Sequence, residues 1–577
     1  MRLSRPTVAD GLRRLFAASL ATLAMTATAG LGVAALESGA DASMASPMPP
    51  SALSIPDTSY AVPAGAIVVS PSGNDAAAGT LAAPFRTVAH AVAAVPAGGV
   101  VVLRGGDYRE ALGSINKPFT LQSYPHEQAW LKGSALVTGW TPSPAATQSP
   151  SATQSPAATQ GYQAGSVWKH TGWTNQFCRT CVNPQAVNPA NPLAGWPDQV
   201  FVNGAPLNQV DSPAKVTPGT FNIDYATQTI TVGTDPTGKK VESSDRWNAM
   251  TVNSAAAGLT LRGIGIAQYA PNWNENQLGA LVVAANNVTL ENSAVVFNTG
   301  RGAQFNSPGG HIIGSRFNSN GYSGLGTNRA HGLVVSRNQI DGNNWRHFAT
   351  SGCGMYCTVA GYKAAHTANS TVSDNTVRNN VGTGYWCDLG CNNTTIVRNY
   401  VENNSNKGIF YEVSTTGLIA SNVFRSNTVG LELAGSDRTT IYNNTFDRNG
   451  THLQLFDDTR LASSDSYSGG LGLSWNTTGN TLRNNLFGAT TGGVAVDTNA
   501  TSQVNAGQML VGMDHNAYYR TSASAPLVHW CPTYPSVPAF AAASGFDGGS
   551  GDAVGPANPY LLNAVDGRFE LAPPSPL

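Results

Sequence analysis

The feature that most constrains this chain is a repeat of 22 to 24 residues in its second half. Short apolar segments are each followed by an asparagine or a serine, at successive spacings of 23, 23, 37, 24, 23, 22 and 41 residues. The repeated positions are Asn292, Ser315, Asn338, Asn375, Asn399, Asn422, Asn444 and Asn485. Such a period is typical of one coil of a parallel β-solenoid, where stacked asparagines hydrogen-bond along the axis. The repeat predicts an all-β fold, a right-handed parallel β-helix, in which these asparagines are structural.

The coils can be aligned to find side chains that share the outer face, because successive residues of a strand point to opposite faces. Four consecutive strands begin with GYKAA, GYWCD, GIFYE and GLELA, at Gly361, Gly384, Gly408 and Gly430. One outward row then contains Lys363, Trp386, Phe410 and Glu432. The second outward row contains Ala365, Asp388, Glu412 and Ala434. The alignment therefore places two acids on adjacent coils.

Two stacked carboxylates have the arrangement that a glycosidase needs. Neighbouring strands lie about 4.8 Å apart, so the carboxyl groups of Asp388 and Glu412 should be roughly 5–6 Å apart, near the ~5–5.5 Å of a retaining enzyme. Like charges raise one pKa, as a general acid requires. Acids can be adjacent by chance on a solenoid, but Trp386 and Phe410 beside them offer an apolar platform for a sugar ring. This pattern predicts a catalytic pair in a glycan subsite.

Further substrate contacts are expected around this pair. The candidates are Lys363, Glu432, His366 and Gln454, with Arg329, His331 and His347 as weaker ones. Two long intervals, which hold residues 345–357 and 457–475, interrupt the repeat before and after the acidic coils. Insertions on one side of a solenoid usually form cleft walls. No metal site and no cofactor are predicted.

The first ordered segment carries a recognisable pattern. It reads VSPSGND from Val69, then Gly79-Thr80 and Ala83-Pro84-Phe85, and residues 85–95 have helical spacing that suits a cap on an open end. This opening resembles that of secreted β-helix proteins of the pectate-lyase-like superfamily. The resemblance implies the fold and is silent on the reaction.

The acidic coils carry a second resemblance. The stretches 384–388 and 408–414, with Asn399 and Asn403-Asn404 between them, resemble the active-site coils of parallel β-helix glycoside hydrolases of the β-xylosidase type. In that family an Asp nucleophile and a Glu acid/base lie one coil apart. The resemblance implies Asp388 as nucleophile and Glu412 as acid/base.

The N-terminus and the cysteines indicate export. Four arginines precede an apolar stretch over residues 15–36, which predicts a signal for the general secretory or the twin-arginine route. No second long apolar span follows, so a membrane anchor is not expected. Seven cysteines form three close pairs, Cys178/Cys181, Cys353/Cys357 and Cys387/Cys391, with Cys531 left over. Short-range disulfides are predicted, with a zinc site at Cys178 and Cys181 as the alternative.

The sequence divides into six predicted regions. These are a signal and disordered N-terminus (1–45), a cap with the first coils (60–142), a disordered insertion of three hexamers (143–160), an inserted antiparallel β subdomain (161–250), the main β-helix (251–520) and a C-terminal tail or cap (521–577).

Composition argues against two classes of binding partner. The net charge is −1 and only 11% of residues are charged, which argues against nucleic acid and anionic membranes as partners. We expect a secreted, monomeric, retaining glycoside hydrolase acting on a polysaccharide or oligosaccharide. One alternative is a polysaccharide lyase or uronate epimerase with Lys363 or His366 as base. The other is a non-catalytic glycan-binding solenoid that uses Trp386 and Phe410 only for stacking.

Overall fold

Three long parallel sheets wrap around one apolar core in the computed structural model, which describes residues 54–144, 166–271, 279–563 and 568–571. The three sheets are called A, B and C, and their strands are given below. Each regular coil contributes one strand to each of them, first to sheet C, then to sheet A and then to sheet B. One coil, for example, runs through Ala360–Ala365, Thr371–Ser373 and Thr376–Arg378 before the next begins at Thr383. The fold is the right-handed parallel β-helix that the repeat predicts.

Each long sheet has 13 strands. Sheet A consists of Ile67–Val69, Val100–Leu103, Thr120–Ser123, Thr260–Arg262, Thr289–Glu291, His311–Ile313, Val334–Ser336, Thr371–Ser373, Thr395–Val397, Leu418–Ala420, Thr440–Tyr442, Asn480–Arg483 and Leu510–Asp514. Sheet B consists of Gly106–Tyr108, Ala129–Lys132, Ile264–Ala267, Ala294–Val296, Arg316–Asn318, Gln339–Asp341, Thr376–Arg378, Tyr400–Glu402, Val423–Arg425, Thr445–Asp447, Leu486–Phe487, Ala517–Arg520 and Gly551–Val554. Sheet C consists of Gly113–Ile115, Met250–Val252, Gly279–Val283, Arg301–Phe305, Ser323–Asn328, Ala360–Ala365, Thr383–Asp388, Lys407–Glu412, Val429–Ala434, Thr451–Phe456, Val496–Asp497, Val528–His529 and Thr533–Tyr534.

The predicted asparagine ladder is present. The side-chain amide of Asn375 donates to Asn399 at 2.9 Å, and the amide of Asn399 donates to Asn422 at the same distance. The residue before each ladder position turns the chain sharply between sheets A and B, as Arg398 does with a φ of 55°. Because every rung also binds backbone groups, the buried amides are satisfied without water.

A second ladder lies at the corner that follows sheet B and was not predicted as a separate row. It consists of Asn298, Asn320, Asn343, Asn380, Asn404, Asn427 and Asn449.

One predicted rung is wrong. Asn292 has a φ of 44° and its amide donates to the hydroxyl of Tyr60. The rung in that coil is its neighbour Ser293, whose N–H donates to Ser315. Asn292 is the left-handed corner residue, which explains why a short polar residue occupies it.

The two ends of the solenoid are covered differently. At the N-terminal end, the helix Val88–Ala94 lies within the predicted range, and Thr87 accepts a hydrogen bond from its first turn. At the C-terminal end, Val528–His529 and Gly551–Val554 continue sheets C and B. The solenoid therefore extends beyond the predicted boundary at residue 520.

Two small sheets lie between the first coils and the main solenoid. They consist of Ser134–Leu136, Val200–Val202, Ala205–Pro206 and Val241–Ser244, and of Thr141–Pro144, Ser166–Thr171, Asn208–Gln209, Thr220–Asp224 and Thr229–Val232. All but one of their pairings are antiparallel. They share a separate apolar cluster, which includes Phe221 and Ile230. The predicted signal (1–45) and most of the hexamer insertion lie outside the described residues.

Short helices complete the described part of the chain. The other α-helices are Ser466–Gly470, Gln503–Met509 and Val537–Ser544. The 3₁₀ helices are Pro184–Ala186, Pro213–Lys215, Ser254–Ala256, Gly354–Tyr356 and Ala462–Ser464. A two-stranded ribbon joins Leu561–Asn563 to Arg568–Leu571. Over the described ranges, no helix is long and apolar enough to cross a bilayer.

The three predicted cysteine pairs are disulfides in the structure. Cys178 is bonded to Cys181, Cys353 to Cys357, and Cys387 to Cys391. Cys531 is an exposed free thiol. Because Cys178 and Cys181 form a disulfide, the zinc alternative at these two residues is wrong.

Candidate functional site

On the outer face of sheet C, residues pair between neighbouring coils as the sequence alignment predicts. Lys363 pairs with Trp386, Trp386 with Phe410, and Phe410 with Glu432. Gln454 follows Glu432 on the next coil. The inward neighbours of this row, such as Tyr385, Ile409 and Leu431, lie in the solenoid core.

Asp388 and Glu412 end adjacent strands of the same sheet. Asp388 pairs with Ala365 on the preceding coil, and Glu412 pairs with Ala434 on the following coil. Since Cys387 pairs with Tyr411, the two acids occupy consecutive coils at the same strand position. Both side chains are nearly buried, with 10% and 12% of their surface exposed.

The carboxylate of Asp388 forms an ion pair with Lys363. Its Oδ2 lies 2.6 Å from Nζ of Lys363, which belongs to the preceding coil. Its Oδ1 is buried and has no hydrogen-bond partner among the described residues. The disulfide between Cys387 and Cys391 closes the turn that follows Asp388. The side chain is therefore fixed through one oxygen while the other keeps its lone pairs.

Glu412 has a different environment. Its Oε2 accepts a hydrogen bond of 2.8 Å from the indole N–H of Trp386, and its Oε1 lies 2.5 Å from the guanidinium of Arg460. Burial and the charge of Asp388 raise the pKa of Glu412 to about 7, although Lys363, Arg460 and the Trp386 hydrogen bond each lower it. Glu412 can thus hold a proton near neutral pH.

A lysine ammonium lies over the ring of each aromatic residue in the row. Nζ of Lys363 lies 3.2 Å from the ring centroid of Trp386, and Nζ of Lys407 lies 3.8 Å from that of Phe410. The rings contact each other at a centroid distance of 5.4 Å. Phe410 is only 5% exposed. This packing does not fit the predicted open platform for a sugar ring. Trp386 is instead a hydrogen-bond donor to Glu412.

Glu432 and Gln454 continue the outward row beyond the pair. Glu432 is buried and its Oε1 lies 2.8 Å from Nζ of Lys407, an ion pair with only 4% of the Glu432 side chain exposed. Burial raises the pKa of Glu432, against the opposing effect of Lys407. Gln454 is partly exposed and donates at 3.0 Å to Asp497, which also accepts from His529.

His366 lies on the coil before Asp388 and is engaged at both ring nitrogens. Nδ1 is 2.9 Å from Asn328, and Nε2 is 3.0 Å from Asp465. Asp465 belongs to residues 457–479, called here the 457–479 insertion, which also supplies Arg460. His366 therefore anchors this insertion to the solenoid.

The weaker candidates lie near the same insertion or away from the pair. Tyr467 stacks on His331 at 5.9 Å, and the guanidinium of Arg329 lies 6.0 Å from the Tyr467 ring. Burial lowers the pKa of both His331 and His347. Among the described contacts, none joins His347 to Asp388 or Glu412.

Two cations that pair with acids of this face were not assigned from the sequence. Lys407 lies at the start of the Glu412 strand, and an outward buried acid such as Glu432 signals that a cation must be near. Arg460 lies in the second long interval, 48 residues after Glu412, and no periodic signal places it. In the described ranges, no group of three or more His, Cys, Asp or Glu residues is arranged to hold a metal ion.

Comparison with family models agrees with the fold. The model described as "Right handed beta helix region" matches residues 278–446, and the model "Protein of unknown function (DUF1565)" matches residues 71–136. The first of these matches agrees with the right-handed parallel β-helix seen in the structure.

Curated relatives match only short parts of the chain. YwoF of Bacillus subtilis (strain 168) is 39% identical over 75 residues, which cover 12% of this chain and 16% of YwoF. Pectate lyase PEL9 of Emericella nidulans is 37% identical over 83 residues, which cover 13% of this chain and 20% of the lyase. Matches of this length do not carry either relative's activity over to this chain.

A solved structure matches most of the chain. The complex of XylC with xylose superimposes with a TM-score of 0.56 at 14% identity, over 86% of this chain and 87% of XylC. At this identity the likeness shows the fold.

Proposed function

We propose that this protein is a retaining glycoside hydrolase, with Asp388 as nucleophile and Glu412 as acid/base. The observation that carries the proposal is a pair of carboxyl groups on adjacent coils with unlike environments. Asp388 has one oxygen without a hydrogen-bond partner among the described residues and the other beside Lys363, whereas the pKa of Glu412 is raised to about 7. Pairs of this kind divide the roles of nucleophile and proton donor.

In the first step, the carboxylate of Asp388 attacks the anomeric carbon as the bond to the glycosidic oxygen breaks. Protonated Glu412 delivers its proton to that oxygen, and the leaving group departs as an alcohol. Lys363 orients Asp388 through Oδ2. The product of this step is a glycosyl ester of Asp388.

In the second step, Glu412 is a carboxylate and acts as base. It takes a proton from water while the water oxygen attacks the anomeric carbon, and the ester bond to Asp388 breaks. Trp386 and Arg460 stabilise the carboxylate form through the contacts at 2.8 and 2.5 Å. Two inversions give net retention of the anomeric configuration.

Charge balance favours a neutral sugar at this site. Lys363 pairs with Asp388, Lys407 with Glu432, and Arg460 with Asp458, so protonated Glu412 leaves no net charge. A lyase or epimerase would need a free base and cations for a uronate. Lys363 and His366 both have carboxylate partners, which makes that alternative weaker.

Two further observations support the setting of this proposal. A saccharide substrate is consistent with the complex of XylC with xylose, which has the same fold. Three disulfides suit an oxidising, extracellular compartment. We propose a secreted protein on these grounds.

The test is a screen of the purified protein against neutral and acidic glycans, with Asp388→Ala as the control. We expect cleavage of a neutral glycan, lost in the variant, and a first product with the substrate's anomeric configuration by ¹H NMR. Inverted product, unsaturated product absorbing in the ultraviolet, or full activity of the variant would each contradict the proposal.

A further inference from the structure

The 457–479 insertion brings a third carboxylate to the site, that of Asp458. We infer that Asp458 is a positioning residue, which holds the guanidinium of Arg460 against Glu412. Among the described contacts, Asp458 reaches Glu412 through Arg460. The inference rests on the proposed function, in which Glu412 is the acid/base. It adds the residue that fixes how readily Glu412 gives up its proton.

Asp458 binds both the backbone and the side chain of Arg460. Its Oδ1 accepts from the backbone N–H of Arg460 at 2.7 Å and from Nε at 2.9 Å. Its Oδ2 accepts from Nη2 at 2.7 Å and from Nε at 3.1 Å. A carboxylate with two oxygens matches the planar fork of a guanidinium. These bonds therefore fix the orientation of the guanidinium as well as its position.

The guanidinium nitrogen that binds Asp458 also binds Glu412. Nη2 of Arg460 donates to Oδ2 of Asp458 at 2.7 Å and lies 2.5 Å from Oε1 of Glu412. This nitrogen carries two N–H groups, so it can serve both carboxylates at once. With one N–H directed to Asp458, the other points away from it, towards Glu412. The contact with the acid/base thus depends on the orientation that Asp458 imposes.

Asp458 lies at the anchored base of the insertion. Its Cβ packs on Gly435, where an added Cβ would lie only 2.9 Å away. Gly435 belongs to the coil that follows Glu412. The adjacent Asp457 accepts from the backbone N–H of Thr477 at 2.9 Å, which joins the two ends of the insertion. Asp458 is thus fixed to the solenoid beside Glu412.

Arg460 is less well anchored than the acid that binds it. Its side chain is 45% exposed, whereas that of Asp458 is 10% exposed. Besides the two carboxylates, the ring of Trp475 lies 5.5 Å from the guanidinium carbon. A long exposed side chain loses rotamer freedom when it is ordered, and water competes for its hydrogen bonds. Asp458 supplies the order that Arg460 needs to stay on Glu412.

Asp458 affects the ionisation of Glu412 in two ways that have opposite signs. Arg460, held in place, lowers the pKa of Glu412. The negative charge of Asp458 acting directly would raise that pKa, because like charges oppose ionisation. The other charged groups around Glu412 are Asp388, which raises its pKa, and Lys363, which lowers it. Removal of the Asp458 charge therefore separates positioning from direct repulsion by the direction of the change.

Asp458→Asn and Asp457→Asn are matched variants, because each removes one negative charge from adjacent positions of the insertion. At position 458 the amide leaves one acceptor for a guanidinium that has only donors, so the two-oxygen contact with Arg460 is lost. Asp457 accepts instead from the backbone of Thr477 and the side chain of Asn505. Asp457→Asn therefore keeps the contact between Asp458 and Arg460.

The ionisation of Glu412 can be followed without a substrate through the indole N–H of Trp386, which donates to its Oε2. In full-length protein labelled with ¹⁵N-tryptophan, this NMR signal is the one missing from Trp386→Phe, and its titration is the one lost in Glu412→Gln. For the wild type we expect a midpoint near pH 7. Asp458→Asn should raise the midpoint by roughly 0.5–1 pH unit. Asp457→Asn should change it by less than about 0.2 pH unit.

Arg460→Ala removes the positioned group itself and should raise the midpoint at least as far. Asp458→Asn added to Arg460→Ala should then give no further rise. Asp458→Glu keeps the charge but lengthens the side chain by one methylene, so we expect a smaller rise, and direct repulsion alone predicts none. The signals of the other tryptophans report whether each variant is folded.

A midpoint that falls or stays unchanged in Asp458→Asn would overturn the inference, because the charge of Asp458 would then act directly or not at all. In a hydrolase assay, the alkaline limb of kcat/KM should move with the indole midpoint. Failure of the proposed function is distinct, because a protein that cleaves no glycan still shows the titration of Glu412 at Trp386.

Discussion

Buried polar groups at the interior corners and on the outer face of sheet C differ in their hydrogen bonding. In the interior, the amide of Asn399 donates to Asn422 and its oxygen accepts from Asn375. On the outer face, Asp388 keeps a buried oxygen without a described partner, and Glu412 is buried beside a like charge. Satisfied groups repeated on every coil stabilise the fold. Two buried acids of like charge on adjacent coils indicate chemistry.

The largest predicted loss of activity is at Asp388. We expect Asp388→Asn to lower kcat about 10⁴-fold, or about 5.5 kcal/mol of transition-state stabilisation, because the amide is a poor nucleophile. The asparagine still accepts from Lys363, so the free energy of unfolding should change by less than about 1 kcal/mol. Steady-state kinetics and chemical unfolding measure both. A large loss of stability with little loss of kcat would make Asp388 structural.

The next largest effect is expected at Glu412. Glu412→Gln should lower kcat/KM about 10²- to 10³-fold for leaving groups that need a proton, and much less for 4-nitrophenol. The acid form is the active one, so wild-type kcat/KM should be high below pH 7 and fall as the pH rises through about 7. The variant should lose this alkaline limb. An unchanged pH profile would assign the limb to another group.

An interior rung should show the converse behaviour. Asn399→Ala leaves the amide partners in two neighbouring coils unsatisfied, and we expect it to cost about 2–3 kcal/mol of unfolding free energy while kcat stays within twofold. Asn116→Ala is the matched control, because it removes an exposed hydrogen bond between Asn116 and Asn253. Urea unfolding distinguishes the two. Equal, small losses would mean that the ladder contributes little.

The smallest predicted effect concerns Trp386. Trp386→Phe keeps an aromatic ring in the row but removes the N–H that stabilises ionised Glu412. Loss of about 1 kcal/mol, or about fivefold in kcat/KM, is expected. The alkaline limb should move to higher pH, because this hydrogen bond lowers the pKa of Glu412. A shift to lower pH would contradict the positioning role.

Sequence alone predicts what is periodic in this molecule. The coil length, the two outward rows and most ladder positions follow from local alternation within 22 to 24 residues, as the pairing of Trp386 with Phe410 shows. The rung at Ser293 was missed because Asn292, the residue before it, is the corner. Arg460 was not assigned because an insertion brings it back to Glu412. The contacts of lysine ammonium groups with the rings of Trp386 and Phe410 depend on the conformations of flexible lysine side chains, which the repeat does not predict.

The most direct test of the central claim is to identify the residue that carries the glycosyl group. Wild-type protein is incubated with a 2-deoxy-2-fluoro glycosyl fluoride of the sugar it releases, digested with protease, and mapped by mass spectrometry. We predict one added fluorosugar, in an ester on the peptide that contains Asp388, and none in Asp388→Asn. Label on Glu412, or active protein that is never labelled, would contradict the account.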